Sequence, residues 1–136
     1  MRRRKLDPWP SAWSDNRETT LLDWENGALA EGLACYRSGA FFDAHEHWES
    51  VWLLAPEPEK TFLQALIQIA AAFHHLERNN RIGAASLLNG ALRRLQPYPA
   101  GFGGVAVEPL RQSIRAWLRQ LQAQVSAPSL AHPLIR

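Results

Sequence analysis

The stretch that decides the fold is Phe62-Leu-Gln-Ala-Leu-Ile-Gln-Ile-Ala-Ala-Ala-Phe-His-His-Leu76. It holds no glycine or proline, and its apolar residues fall on nearly every side of a helix drawn at about 100° per residue. A helix that is apolar all round is typical of the centre of a bundle, where neighbouring helices cover each face. The apolar run, Phe62 to Phe73, is too short to span a bilayer. The stretch therefore predicts a buried central helix.

Further helical patterns lie on both sides of this central helix. Two helices are predicted before it and two after it, over about residues 25–38, 41–54, 82–95 and 108–125. Gly39, Pro56 and the pair Asn79-Asn80 mark their ends. Short connections favour antiparallel neighbours, whereas residues 97–104 form one long loop. The sequence thus predicts an all-α fold, a compact bundle of about five helices built from antiparallel hairpins.

The two ends of the chain differ from the helical body. We divide the chain into an extended N-terminal arm (1–24), a helical domain (25–125) and a C-terminal tail (126–136). The arm carries Trp9, Trp13 and Trp24, and tryptophans are costly to leave in water. We expect the arm to be docked or partly disordered. Docking on a second copy of the chain would make a homo-oligomer.

Charge and cysteine content limit the functional classes. The 136 residues carry fifteen Lys and Arg against thirteen Asp and Glu. Four of the bases are Arg2 to Lys5, so the rest of the chain is slightly acidic, and a general nucleic-acid-binding surface is not expected. No apolar run follows this basic start, which argues against a secretory signal, and the single cysteine, Cys35, is compatible with a reducing compartment. We expect a cytoplasmic protein that binds neither membrane nor nucleic acid.

The second helix carries the candidate chemistry, in Phe41-Phe-Asp-Ala-His-Glu-His-Trp-Glu-Ser-Val-Trp52. On a helical projection, Glu49 lies about 40° from His45, and four aromatic residues of the stretch share that side. Glu46 borders this face, and His47 points away from it. A carboxylate and an imidazole directed into a core need partners. His45, Glu46 and Glu49 are therefore the catalytic candidates.

The central helix offers those partners. Gln64, Gln68 and His75 form one polar line along it. If the second and third helices pack antiparallel, this line faces His45 and Glu49. The prediction is a buried polar cluster of these five side chains.

Three segments of the sequence resemble those of a known family. They are Gly39-Ala-Phe-Phe-Asp-Ala-His-Glu-His-Trp-Glu-Ser-Val-Trp52, Phe62-Leu-Gln-Ala-Leu-Ile-Gln68 continuing to His75-Leu76, and Leu95-Gln-Pro-Tyr-Pro99. Together they resemble the domain of unknown function 309 family over about residues 30–120. The resemblance implies a compact all-α fold of small bacterial and archaeal proteins, and it implies no particular activity. It places the family's recurring polar residues at His45, Glu46, Glu49, Gln64, Gln68 and His75.

The polar cluster has three interpretations. The one we favour is a structural hydrogen-bond network within a small binding or interaction module, whose partner is an unidentified protein or small molecule. The second is a site for a divalent metal, with His45, Glu49 and His75 as ligands. The third is acid–base catalysis by His45 with Glu46 or Glu49, beneath the 97–104 loop. The last two would make the protein a hydrolase-like enzyme.

One further pattern is a row of arginines on the fifth helix. Arg111, Arg115 and Arg119 recur every fourth residue, opposite the apolar stripe of that helix. We interpret the row as a solvated face, with binding of phosphate or an acidic partner as the alternative.

Overall fold

The protein is all-α, as the sequence predicts, in a computed structural model that describes residues 22–123 and 130–136. Apart from one two-stranded hairpin, the regular elements of these residues are five helices. Their bounds are α1 Gly27–Arg37, α2 Phe41–Trp52, α3 Glu59–Glu77, α4 Arg81–Leu95 and α5 Val107–Ala123. Within the described ranges, no helix combines the length and hydropathy that crossing a bilayer requires.

The central helix is α3, which packs against α2 on one side and α4 on the other. Phe62, Leu63, Leu66 and Ile69 have no solvent-exposed surface at all. Burying a large apolar side chain contributes about 1.5–3 kcal/mol relative to leaving it exposed, so α3 anchors the core. The outer helices are added at either side, α1 on α2 and α5 on α4.

Neighbouring helices run antiparallel, which confirms the predicted hairpin architecture. Phe42 at the start of α2 contacts His74 near the end of α3, with 5.2 Å between the ring centroids. At the other end of the pair, the Nζ of Lys60 lies 4.3 Å from the ring centroid of Trp52. These two contacts fix the register in which α2 and α3 lie side by side.

The segment between α4 and α5 contains a short hairpin, β1 Gly101–Phe102 and β2 Val105–Ala106. The Gly103-Gly104 turn has φ values of 58° and 81°, a conformation that glycine adopts without steric cost. Only a loop is predicted here from the sequence, because two residues per strand are too few to show an alternating pattern. The hydroxyl of Tyr98 holds the start of the loop by donating to the carbonyl oxygen of Pro58 at 2.7 Å.

Arg111 does not lie on a solvated face, so the prediction for this arginine was wrong. Only 8% of the residue is exposed, and its guanidinium donates to the carbonyl oxygens of Leu95 and Tyr98 and to the carboxylate of Glu108. The last carbonyls of a helix have no partner within that helix, and Arg111 satisfies one of them at the end of α4. The same arginine holds the pKa of Glu108 below its usual value through their hydrogen bond. Arg119, by contrast, is exposed as expected.

The start of the described chain is packed against the hairpin. Trp24 is buried, and its Nε1 donates to the carbonyl oxygen of Gly103 at 2.7 Å. Its ring also meets that of Trp48 edge to face, at 6.3 Å between centroids. Trp24 is therefore buried as expected, whereas Trp9 and Trp13 lie outside the described residues.

Residues 130–136 are packed as well, although the sequence presents them only as part of a tail. Pro133 and Ile135 are buried, and the ring of His132 lies among aromatic side chains of the helical body. This segment passes over α1 and α5, and it completes the core on that side of the bundle.

Candidate functional site

The inward face of α2 is formed by Phe41, Ala44 and Trp48. Trp48 has no exposed surface, and its Nε1 donates to the carbonyl oxygen of Leu29 on α1 at 3.1 Å. The ring lies directly over Gly32, where no larger residue would fit without displacing it. On a helical projection the direction of the core is therefore about 70° away from His45. This rotation decides where the candidate residues of α2 lie.

Glu49 and Glu46 lie on the solvent side of α2 as a result. Both residues are exposed, so the expectation that Glu49 is directed into a buried polar cluster was wrong. Glu49 was expected to face inward because four aromatic residues share its side of the helix in projection. One of those aromatic residues, Phe42, is itself 47% exposed and does not mark the core.

His45 is half-buried at the edge of α2 that faces α3. Its ring stacks on Phe42 with 5.6 Å between centroids and 28° between planes. The Nδ1 of His45 is shielded from solvent and has no hydrogen-bond partner among the described residues, and the same is true of the Nε1 of Trp52 two turns later. Because neither atom has a partner, neither belongs to a satisfied hydrogen-bond network. Burying such an atom costs about 1–3 kcal/mol of folding free energy.

Gln68, in the middle of the polar line of α3, faces α4 and not α2. The Oε1 of Gln68 accepts a hydrogen bond from Nη1 of Arg94 on α4 at 3.3 Å, and the Gln68 amide lies against Gly90 of the same helix. Gln64, one turn earlier, is half-buried. The predicted pairing of this line with His45 was therefore wrong for Gln68.

His75 serves the turn between α3 and α4. The side-chain amide of Asn80 lies 3.0 Å from the Nδ1 of His75, and the Asn80 Oδ1 accepts from the backbone N–H of Gly83 at 2.9 Å. Asn80 is thus the N-cap of α4, and His75 holds its side chain in place. This contact accounts for a polar residue near the end of the apolar helix α3, and no catalytic role is needed to explain it.

The three proposed metal ligands, His45, Glu49 and His75, do not come together. Within residues 22–123 and 130–136, no group of three or more His, Cys, Asp or Glu side chains could hold a metal ion. The residues consequently do not fit a divalent metal. A helical projection gives the relative directions of side chains on one helix. It does not give the rotation of each helix about its axis in the bundle, so it could not bring together ligands from two helices.

The acid–base alternative also lacks the predicted cover by the 97–104 loop. A surface cavity of about 710 Å³ adjoins the hairpin, and it is lined by residues 22–25, residues 101–106 and Arg136. None of the catalytic candidates lines this cavity. The hairpin packs toward the start of the described chain, on another part of the bundle.

Two histidines, one on α2 and one on α3, make contacts that the sequence does not predict. His47 lies 3.5 Å from the carboxylate of Glu31 on α1, and His74, to which no role was given, packs against Phe42. The spacing of His47 and Glu31 carries no signal, because the two residues belong to different helices. Only the packing of α1 on α2 brings them together.

Comparison with known proteins finds similarity over part of the helical body. Residues 29–87, from α1 into α4, match the model of a family described as Domain of unknown function (DUF309). A protein of Aquifex aeolicus (strain VF5), named only as an uncharacterized protein, is 31% identical over 94 residues. That match covers 68% of this chain but only 27% of the relative, so the chain spans about a quarter of the relative's length. The similarity to the DUF309 family therefore lies in residues 29–87.

Proposed function

We propose that the protein is a binding module that docks a basic, tryptophan-bearing segment on the outward face of α2. We define this outward face by Phe42, Glu46, Glu49 and Leu53. The observation that carries the proposal is the exposure of two large apolar side chains, Phe42 at 47% and Leu53 at 63%, at the two ends of the face. Large apolar side chains that stay exposed around polar groups are typical of interaction surfaces.

The spacing of the outward face suits an extended or helical partner segment. Phe42 and Leu53 are eleven residues apart, which corresponds to roughly 16 Å along a helix. The exposed carboxylates of Glu46 and Glu49 lie between them, and that of Asp43 lies beside them. A partner with cationic groups flanked by aromatic or aliphatic groups would match both features of this face.

The first residues of the chain have this chemistry themselves. Arg2 to Lys5 supply four positive charges, and Trp9 and Trp13 follow within eight residues of Lys5. These residues lie outside the described part of the chain, and their composition alone supports the proposal. We therefore assign residues 1–21, from the same or from a second copy, as the occupant of the outward face of α2. Binding from a second copy would make the homo-oligomer that the tryptophan content suggests.

The enzymatic alternative, acid–base or metal-assisted chemistry at His45, Glu49 and His75, has less support. Glu49 is exposed, His75 contacts Asn80 at the α3–α4 turn, and no metal-binding group exists among the described residues. A binding role uses Glu49 where it lies, at the surface. The single cysteine supports a location in a reducing compartment such as the cytoplasm.

Zero-length carbodiimide cross-linking of the full chain tests the proposed occupant. This reagent joins an amine to a carboxylate in contact with it, and Lys5 and Lys60 are the two lysines of the sequence. We expect Lys5 to be joined to Glu46 or Glu49, and we expect the yield to fall with rising salt because surface charge pairs are screened. Mixing ¹⁴N- and ¹⁵N-labelled protein shows whether each link lies within one copy or between two copies.

Charge reversals on α2 and away from it serve as the control. Glu46→Lys combined with Glu49→Lys should abolish the links of Lys5 to these two positions, whereas Glu77→Lys, at an exposed position of α3, should leave them unchanged. Links from Lys5 to other carboxylates of the folded protein, with none to α2, would show that the outward face of α2 is not the docking site.

A further inference from the structure

Side chains of α1 and α5 bind the backbone of residues 130–136 at three positions. The Nε1 of Trp117 donates to the carbonyl oxygen of Ala131 at 2.8 Å, and the hydroxyl of Tyr36 donates to that of Pro133 at 2.6 Å. Further along, the Nε of Arg37 donates to the backbone oxygen of Arg136 at 3.0 Å. The helical body thus holds this segment largely through oxygens that every peptide carries.

From Pro133 to Arg136, the side chains of the segment alternate between the groove and solvent. Pro133 and Ile135 are buried in the groove, whereas Leu134 between them is 75% exposed. The ring of His132 meets that of Tyr36 edge to face, at 4.9 Å between centroids. Alternation of this kind is a property of an extended chain whose every second side chain is read by its surroundings.

We infer that this groove is a recognition site for extended, proline-containing peptides, and that residues 130–136 are its intramolecular occupant. Known modules that recognise proline-rich segments dock them in aromatic-lined grooves. Proline suits such a groove because its φ is already fixed and it has no N–H that must find a partner. The groove contains the same elements: the rings of Tyr36, Phe41 and Phe73 around His132, and the tyrosine and tryptophan donors on backbone oxygens.

The geometry also defines the peptide that competes for the groove. It carries proline at the position of Pro133, a flat ring one residue before it and an aliphatic side chain two residues after it. The position between the proline and the aliphatic residue is free, because Leu134 points to solvent. The Tyr36 hydroxyl is available as a donor over a wide pH range, since burial raises the pKa of this phenol.

The test uses the full chain with Ile135→Glu, which places a charge in the groove and releases the chain's own segment. A fluorescent peptide of residues 130–136 is titrated with this variant and with the unchanged protein, and anisotropy is measured. We expect binding at least ~10-fold tighter to the variant, because in the unchanged protein the peptide competes with a tethered segment of high effective concentration.

Substitutions in the peptide and in the groove separate recognition from nonspecific binding. A peptide with Leu134→Ser should bind within about twofold of the original, whereas peptides with Pro133→Glu or Ile135→Ser should not bind. Adding Tyr36→Phe to the Ile135→Glu protein should weaken binding about 5- to 10-fold, since one hydrogen bond to the peptide is lost. Equal binding of all four peptides would overturn the proposal.

A second measurement decides the question if Ile135→Glu does not fold. Unlabelled peptide is added to ¹⁵N-labelled unchanged protein up to about millimolar concentration, the range of a short tether's effective concentration. We expect the amide signals of Leu134 and Ile135 to move toward free-chain positions, and the indole signal of Trp117 to keep its hydrogen-bonded position. If these signals do not change at any peptide concentration, the groove does not exchange its occupant and the proposal is wrong.

Discussion

The inward and outward faces of α2 lie on one helix of 12 residues and differ in what covers them. Inward, Trp48 is fully buried against α1 and hydrogen-bonded to Leu29. Outward, Phe42 and Leu53 are no less apolar as side chains, yet about half or more of each is exposed. Hydrophobicity along α2 therefore does not identify its buried face. The position of the neighbouring helices does.

The largest expected effect is that of removing the indole from the inward face. Trp48→Ala should lower the free energy of unfolding by about 3–5 kcal/mol, because it leaves a cavity in the seam between α1 and α2 and removes the hydrogen bond from the indole to Leu29. Chemical denaturation followed by circular dichroism measures this. A loss below ~1 kcal/mol would mean that Trp48 is not the side chain around which α1 and α2 pack.

The close approach of α1 and α2 gives the next largest effect. A Cβ at Gly32 would overlap the Nε1 of Trp48, so Gly32→Ala should cost about 1–3 kcal/mol even though alanine favours a helix. Gly90→Ala is the matched control. Its Cβ would meet the end of the flexible Gln68 side chain, which can move, so the cost should be smaller. Equal costs at both glycines would contradict the tight seam.

The groove that holds residues 130–136 is, like the inward face of α2, a surface covered by another part of the chain. Tyr36→Phe should cost about 1–2 kcal/mol, because the carbonyl of Pro133 loses its partner. Tyr36 also makes the free energy of unfolding depend on pH. Burial raises the pKa of Tyr36 above the ordinary value near 10, so its contribution is complete below pH 10 and is lost as the pH rises further, when only the unfolded state ionises.

The alkaline slope therefore separates Tyr36 from the other titrating groups. Above pH 10, Tyr36→Phe should reduce the loss of stability by about 1.4 kcal/mol per pH unit relative to the unchanged protein. Denaturation midpoints measured from pH 8 to pH 11 test this. Parallel curves for the two proteins would show that the phenol is not held neutral in the folded state.

The smallest expected effect concerns the outward face. Glu49→Ala should change the free energy of unfolding by no more than about 0.5 kcal/mol, since the residue is exposed. The same substitution should lower the yield of the proposed cross-link with Lys5. A destabilisation of 2 kcal/mol or more would show that Glu49 takes part in a buried network after all, and it would restore the cluster that the sequence predicts.

Patterns within single helices were predictable from the sequence alone. The all-round apolar character of Phe62 to Phe73 identifies the central helix, and glycine, proline and asparagine mark the helix ends within a few residues. These properties depend on local backbone preferences and on periodicity, which a single chain segment carries in full. The antiparallel order of neighbouring helices followed from short connections for the same reason.

The rotation of each helix about its axis and the contacts between distant segments were decided only by the tertiary structure. Trp48, not Glu49, faces the core because Gly32 on α1 leaves room for an indole ring. Arg111 is buried because the carbonyls of Leu95 and Tyr98, at and after the end of α4, accept from its guanidinium, and residues 130–136 are held by donors more than ten residues away. A sequence shows which groups need partners, but the partners come from other elements, and packing selects them once all elements are in place.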